Sequence, residues 1–156
     1  PTGGIAPILP PMISDAAILH RASPGGHGLH STAADYLRFC QMILNGGELD
    51  GVRLLGRKSV ELMSCNHLAP EMLPIERAFE MHGLGFGLGF SVLLDPAQRQ
   101  SLGSCGTIGW GGAANTNFWI DPKEELIGIL MAQFMPSNTF PLVDDFRTLT
   151  YQALVD

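Results

Sequence analysis

Gly109-Trp110-Gly111-Gly112-Ala113-Ala114-Asn115-Thr116-Asn117-Phe118-Trp119-Ile120-Asp121-Pro122 is the stretch that decides the fold, and it holds both tryptophans of the chain. Small residues follow Trp110, so a ligand or another strand can approach the backbone closely. The run from Asn115 to Ile120 then predicts a strand that leaves this segment and enters a core. Asp121-Pro122 turns the chain, and the apolar run Leu126 to Phe134 predicts a second, buried strand. Together they read as a β-hairpin. Its first strand is either a site with exposed backbone donors or a tight sheet edge carrying a packing Trp, and spacing alone leaves both open.

Upstream, Leu84 to Phe90 alternates Gly with bulky apolar residues before Ser91 to Leu94. On a strand this makes one face all glycine, which must lie against another backbone or a helix. Asp95-Pro96 predicts a turn, residues 97–103 a polar loop tip, and Ser104 to Ile108 a return to the central stretch. Downstream, Leu142, Val143, Phe146, Leu149, Ala153 and Leu154 recur at helical spacing, with Asp144 and Asp145 placed to favour the helix dipole. The fold class that follows is α+β. An antiparallel sheet of three hairpin-linked strands packs with a C-terminal helix and with helices from the N-terminal part. So thin a sheet leaves one long apolar edge unless further strands cover it.

The first part divides at its breakers. Residues 1–24 carry Pro1, Pro7, Pro10, Pro11 and Pro24 and read as an extended connector. Residues 25–82 form a helical and loop part, and residues 83–156 the sheet and C-terminal helix. Gly25-Gly26-His27-Gly28 leads into a helix through Ala33, Tyr36, Leu37, Cys40, Ile43 and Leu44, with Ser31 or Thr32 as its cap and Asn45-Gly46-Gly47 as its stop. No phosphate-loop signature follows those glycines. His27 and His30 lack a third metal ligand at usable spacing and read as loop histidines. Asp50-Gly51 predicts a small hairpin, and Arg57 to Cys65 a short helix. His67 and Glu71 are given no chemistry.

Composition narrows the classes. The chain has 156 residues, 46% hydrophobic and 15% charged, with a net charge of -6. That balance argues against nucleic acid as a partner. No apolar stretch is long enough for a membrane span. Cys40, Cys65 and Cys105 are odd in number and lack Cys-x-x-Cys spacing, which predicts buried or semi-buried free thiols, fits a reducing compartment and slightly favours the cytoplasm. No metal or other cofactor is expected. The chain starts without Met, so its true N-terminus is expected to lie upstream.

Four segments carry a resemblance. They are Gly25-Gly26-His27-Gly28-Leu29-His30-Ser31-Thr32-Ala33-Ala34-Asp35-Tyr36-Leu37-Arg38-Phe39; Gly46-Gly47-Glu48-Leu49-Asp50-Gly51; Phe86-Gly87-Leu88-Gly89-Phe90; and Gly109-Trp110-Gly111-Gly112-Ala113-Ala114 through Pro122. In this order they resemble the C-terminal part of a serine hydrolase of the class C β-lactamase and penicillin-binding-protein type. The similarity is greatest to the esterase branch with Trp-Gly-Gly near the site. The resemblance implies nucleophilic catalysis: a Ser of Ser-x-x-Lys attacks an acyl carbonyl, and the Lys and a Tyr of Tyr-x-Asn assist proton transfer. It implies that Trp110-Gly111-Gly112 binds substrate where the lactamases carry Lys-Thr-Gly. Ala113 would present an oxyanion N–H worth about 3–4 kcal/mol. Trp110 in place of a cationic Lys tilts the substrate toward uncharged esters over β-lactams.

This sequence departs from the family pattern in one decisive respect. No Ser is followed by x-x-Lys, and neither Tyr36 nor Tyr151 by x-Asn. A fragment whose nucleophile lies in a missing N-terminal half is therefore expected, inactive alone, with a small ester or acyl compound as its substrate. A non-catalytic binding or assembly protein of the same fold, with possible self-association, is the alternative. A small binding domain unrelated to hydrolases is a third.

Overall fold

The computed structural model describes residues 31–76, 80–137 and 139–155. The connector, the Gly25–Gly28 turn, His27 and His30 lie outside them. Helix α1, Ala33–Leu44, stops where Gly46 and Gly47 adopt positive φ. The Gly47 N–H donates to Met42 O at 2.8 Å and the Gly46 N–H to Ile43 O at 2.9 Å, which caps the last turn. Strands β1 (Glu48–Leu49) and β2 (Val52–Arg53) form the expected hairpin, with Asp50 and Gly51 both at positive φ. Helix α2, Arg57–Met63, follows, then a 3₁₀ turn at Pro70–Met72 and a two-residue hairpin of β3 (Ile75–Glu76) with β4 (Glu80–Met81).

The main sheet is fully antiparallel, and the described residues give it five strands rather than three. They are β5 (Leu84–Phe86), β6 (Ser91–Leu93), β7 (Ile108–Gly111), β8 (Thr116–Asp121) and β9 (Leu126–Met131), paired in chain order. The apolar run from Leu84 is broken into two strands because Gly87 leaves the ladder to meet the end of α2. Leu88 N donates to Met63 O at 3.0 Å, His67 N to Phe86 O at 2.8 Å, and Phe86 N to Asn66 Oδ1 at 3.1 Å. A Cβ on Gly87 would overlap the Met63 carbonyl, and one on Gly85 would overlap the Asn66 amide. These two glycines do face a close neighbour, whereas Gly89 sits at positive φ in open space. The Asp95-Pro96 turn continues as one helical turn, α3 (Pro96–Arg99). Asp95 caps it by accepting from Ala97 N at 2.9 Å and Gln98 N at 3.1 Å.

Helices cover both faces. Phe118 and Ile120 of β8 join Ile108, Val92 and Phe90 in a core closed by Cys40 and Ile43 of α1 and Val60 of α2. The alternate residues, Trp119 and Asp121, point the other way toward helix α4, Leu142–Gln152. Trp119 is fully buried, stacks edge-on against Phe146 at 5.4 Å, and lies so close to β9 that only a glycine fits at Gly128. The inward face of α4 differs from the apolar spacing: Leu142 and Leu149 are exposed, while Val143, Phe146, Arg147 and Tyr151 turn inward. The cause is Asp121, whose fully buried carboxylate must be satisfied and accepts from Tyr151 Oη at 2.7 Å.

The thiols also differ from expectation. Cys40 is buried, but Cys65 and Cys105 are exposed. Burial pushes the Cys40 thiol up to about 11.

Candidate functional site

β7 is the middle strand of the described sheet, but its Trp110 end is paired on one side only. β6 pairs with β7 only at Ser91–Gly109 and Val92–Ile108, so Trp110 and Gly111 run past it and pair only with Phe118 and Asn117 of β8. Trp110 is half-buried. Its ring meets Phe86 edge-on at 5.0 Å and packs on the α1-side core. The neighbouring strand explains the small residues. A Cβ on Gly109 would overlap Phe118 O, one on Gly111 would reach Asn117 Nδ2 at 2.7 Å, and one on Gly112 would press on Thr116 Oγ1 at 2.5 Å.

The turn from Gly112 to Asn115 is pinned at three points. Gly112 N donates to Thr116 O at 2.8 Å, Asn115 N to Gly112 O at 3.1 Å, and Phe134 N to Ala114 O at 3.0 Å. Asn115 sits at φ +69° and is buried. Ala113 is exposed at the tip, and its N–H has no backbone acceptor among the described residues. The four residues singled out by sequence are thus brought together, and the turn holds a free donor on a fixed backbone.

A cleft of about 510 Å³ runs along this face, lined by Trp110 to Ala113, Ser91, Thr107 and Asn117 of the sheet and by Val143 and Arg147 of α4. Sequence reading missed Arg147. Its guanidinium lies over the Trp119 ring, 4.8 Å from the centroid, and burial holds its pKa below the ordinary value. The available signal was one cation, four residues from Val143 and from Tyr151 on the same helix face.

By sequence Asp121 reads only as part of a turn. Its burial raises the carboxyl pKa, but hydrogen bonds from Tyr151, Ser104, Thr107 and Glu124 outweigh this and hold it below the usual carboxylate value. Burial, with Asp121 beside it, pushes the Tyr151 hydroxyl well above the usual phenol range. The pair ties α4 to the sheet. Among the described residues no His, Cys, Asp and Glu group could hold a metal, and no helix is long and apolar enough to cross a membrane.

The family model described as Beta-lactamase matches residues 2–152. The chain belongs to the Beta-lactamase family. Among its relatives in that family, Protein Rv1367c of Mycobacterium tuberculosis is 43% identical over 117 residues, which are 71% of this chain and 29% of that protein. Lovastatin esterase of Penicillium rubens is 31% identical over 125 residues, 70% of this chain and 29% of that protein. In structure, the LovD6 mutant of simvastatin synthase from Aspergillus terreus superimposes with a TM-score of 0.66 at 25% identity, covering 88% of this chain and 38% of that one. The chain therefore spans about 29% of the length of these curated relatives. Beta-lactamase-family and esterase relatives support hydrolase-type chemistry in general.

Proposed function

We propose that this chain is the C-terminal part of a serine hydrolase that cleaves esters or related acyl compounds through an acyl-enzyme, and that it supplies one wall of the site. The nucleophile, its Lys and its Tyr come from the N-terminal half of the same protein. The Ala113 N–H donates to the developing oxyanion, and Trp110, Gly111 and Gly112 bind the substrate along the end of β7. The observation that carries this is the Ala113 N–H itself. Among the described residues it has no backbone acceptor, on a turn that hydrogen bonds at Gly112, Ala114 O and Asn115 hold in place, so it is preorganised for an incoming oxygen. The half-buried Trp110, where a lactamase has Lys, leaves no cation for a substrate carboxylate at that position, which favours neutral esters.

The test is nitrophenyl ester turnover by residues 1–156 alone and by the longer polypeptide of the same gene. The expected result is no turnover above a denatured control for the first and a burst followed by steady turnover for the second. In the longer polypeptide, Ala113→Pro removes the donor and lowers kcat about 10²–10³-fold with a smaller change in KM. Turnover by residues 1–156 alone, or an Ala113→Pro variant with full kcat, overturns the assignment. The second reading, a non-catalytic assembly protein, draws on the unpaired side of β9, which ends the described sheet. A Ser-x-x-Lys in the upstream coding sequence decides against it.

A further inference from the structure

Among the described residues, two N–H donors on the α4 side of the sheet have no acceptor. Arg147 Nε and Trp119 Nε1 are both buried without a hydrogen-bond partner, and their side chains stack on one another. Arg147 is half-buried, its guanidinium stays charged, and a buried Nε–H is costly to leave unpaired. Neither nearby acid serves it. Asp144 is mostly exposed and faces Arg99 at 3.8 Å. Asp121 is occupied by Tyr151 and by the Ser104, Lys123 and Glu124 amides.

The remaining walls define what fits. Arg147 lines the cleft together with the apolar Leu84, Leu93 and Val143 and with Asn117, whose Oδ1 also lacks a partner. Arg99 is the other cation, and it already faces Asp144. Ser91, Thr107 and Ser137 add polar groups to these walls, and a single unpaired fork among them matches one carboxylate. A phosphate dianion would ask for more positive charge.

We propose that the cleft between α4 and the sheet is a carboxylate-binding site in which Arg147 is the anchoring cation, a role separate from the acyl chemistry at Ala113. The carboxylate comes either from a free carboxylic acid or from an Asp or Glu of the same protein outside the described residues.

The test is an NMR titration of ¹⁵N-labelled residues 1–156 with benzoate, following the Arg147 Nε–H and Trp119 indole N–H signals. Benzamide is the neutral isostere, and chloride at matched ionic strength the ionic control. Saturable shifts of both signals with benzoate alone are expected. Arg147→Met weakens benzoate binding by at least about tenfold. Arg147→Lys, which keeps the charge and packing but loses the fork, also weakens it and stands in if the Met variant does not fold. Absence of a saturable shift, equal binding of benzamide, or unchanged affinity in a folded Arg147 variant overturns the proposal. Repeating the titration on the longer polypeptide separates the sources. Retained benzoate shifts mean a free acid. An Arg147 Nε–H already at its benzoate-bound position, and unresponsive, means a carboxylate of the protein itself. An unresponsive signal at the unliganded position counts against both.

Discussion

Replacing Tyr151 with Phe deletes one oxygen and nothing else, so it isolates the bond that holds α4 to the sheet. Tyr151 Oη donates to Asp121 Oδ2 at 2.7 Å, and Asp121 is fully buried. Three backbone donors remain, from Ser104 at 2.9 Å, Lys123 at 3.1 Å and Glu124 at 3.3 Å, so the carboxylate stays ionised but under-satisfied. A hydrogen bond to a charged acceptor contributes about 1.5–3 kcal/mol. For a chain of this size that corresponds to a fall in Tm of about 3–12 °C. The loss must depend on pH. The folded-state pKa of Asp121 is depressed, so its contribution is full above the unfolded carboxylate value of about 3.9 and disappears as pH falls through the folded value. Tyr151→Phe removes one cause of that depression. Its penalty should therefore be largest near pH 7 and shrink below about pH 4. Denaturant unfolding of wild type and variant at pH 7 and at pH 3 measures both points. A penalty under about 0.5 kcal/mol at pH 7, or one equal at both pH values, would show that the carboxylate does not depend on this donor.

Gly87→Ala should destabilise by about 1–3 kcal/mol or more, since its Cβ would displace the Met63 carbonyl that accepts from Leu88; urea unfolding reads this directly. Gly128→Ala should cost a similar amount, because the fully buried Trp119 ring has nowhere to move, and Trp fluorescence reports the loss of its packing. In native protein at pH 8, iodoacetamide should modify Cys65 and Cys105 but not Cys40, which should react only after unfolding. Peptide mass mapping distinguishes these outcomes.

Much of the fold is legible in local signals. Asn45-Gly46-Gly47 stops a helix because glycine adopts the positive φ that the cap requires. Asp50-Gly51 forms a hairpin turn for a related reason, and the Trp-Gly-Gly stretch enters a strand that ends at Asp121-Pro122. The Trp110 to Ala113 cluster is legible too, because it is contiguous. The split of the Leu84–Leu94 run is not, because its cause is the end of α2, some twenty residues earlier in the chain. Nor is the inward face of α4. Leu142 and Leu149 satisfy a helical period, yet a hydrogen bond to Asp121 thirty residues away outranks their apolar surface.

By itself the sequence determined the α+β class, the antiparallel pairing around Trp119 and the family, since these rest on periodicity, turn chemistry and contiguous motifs. Only the tertiary structure decided that β7 lies inside a five-stranded sheet, that the Ala113 N–H has no backbone acceptor among the described residues, and that the buried Asp121 carboxylate is satisfied while the buried Arg147 Nε is not. Those facts depend on which groups find partners across the chain, and no local pattern records whether a buried donor or acceptor is satisfied.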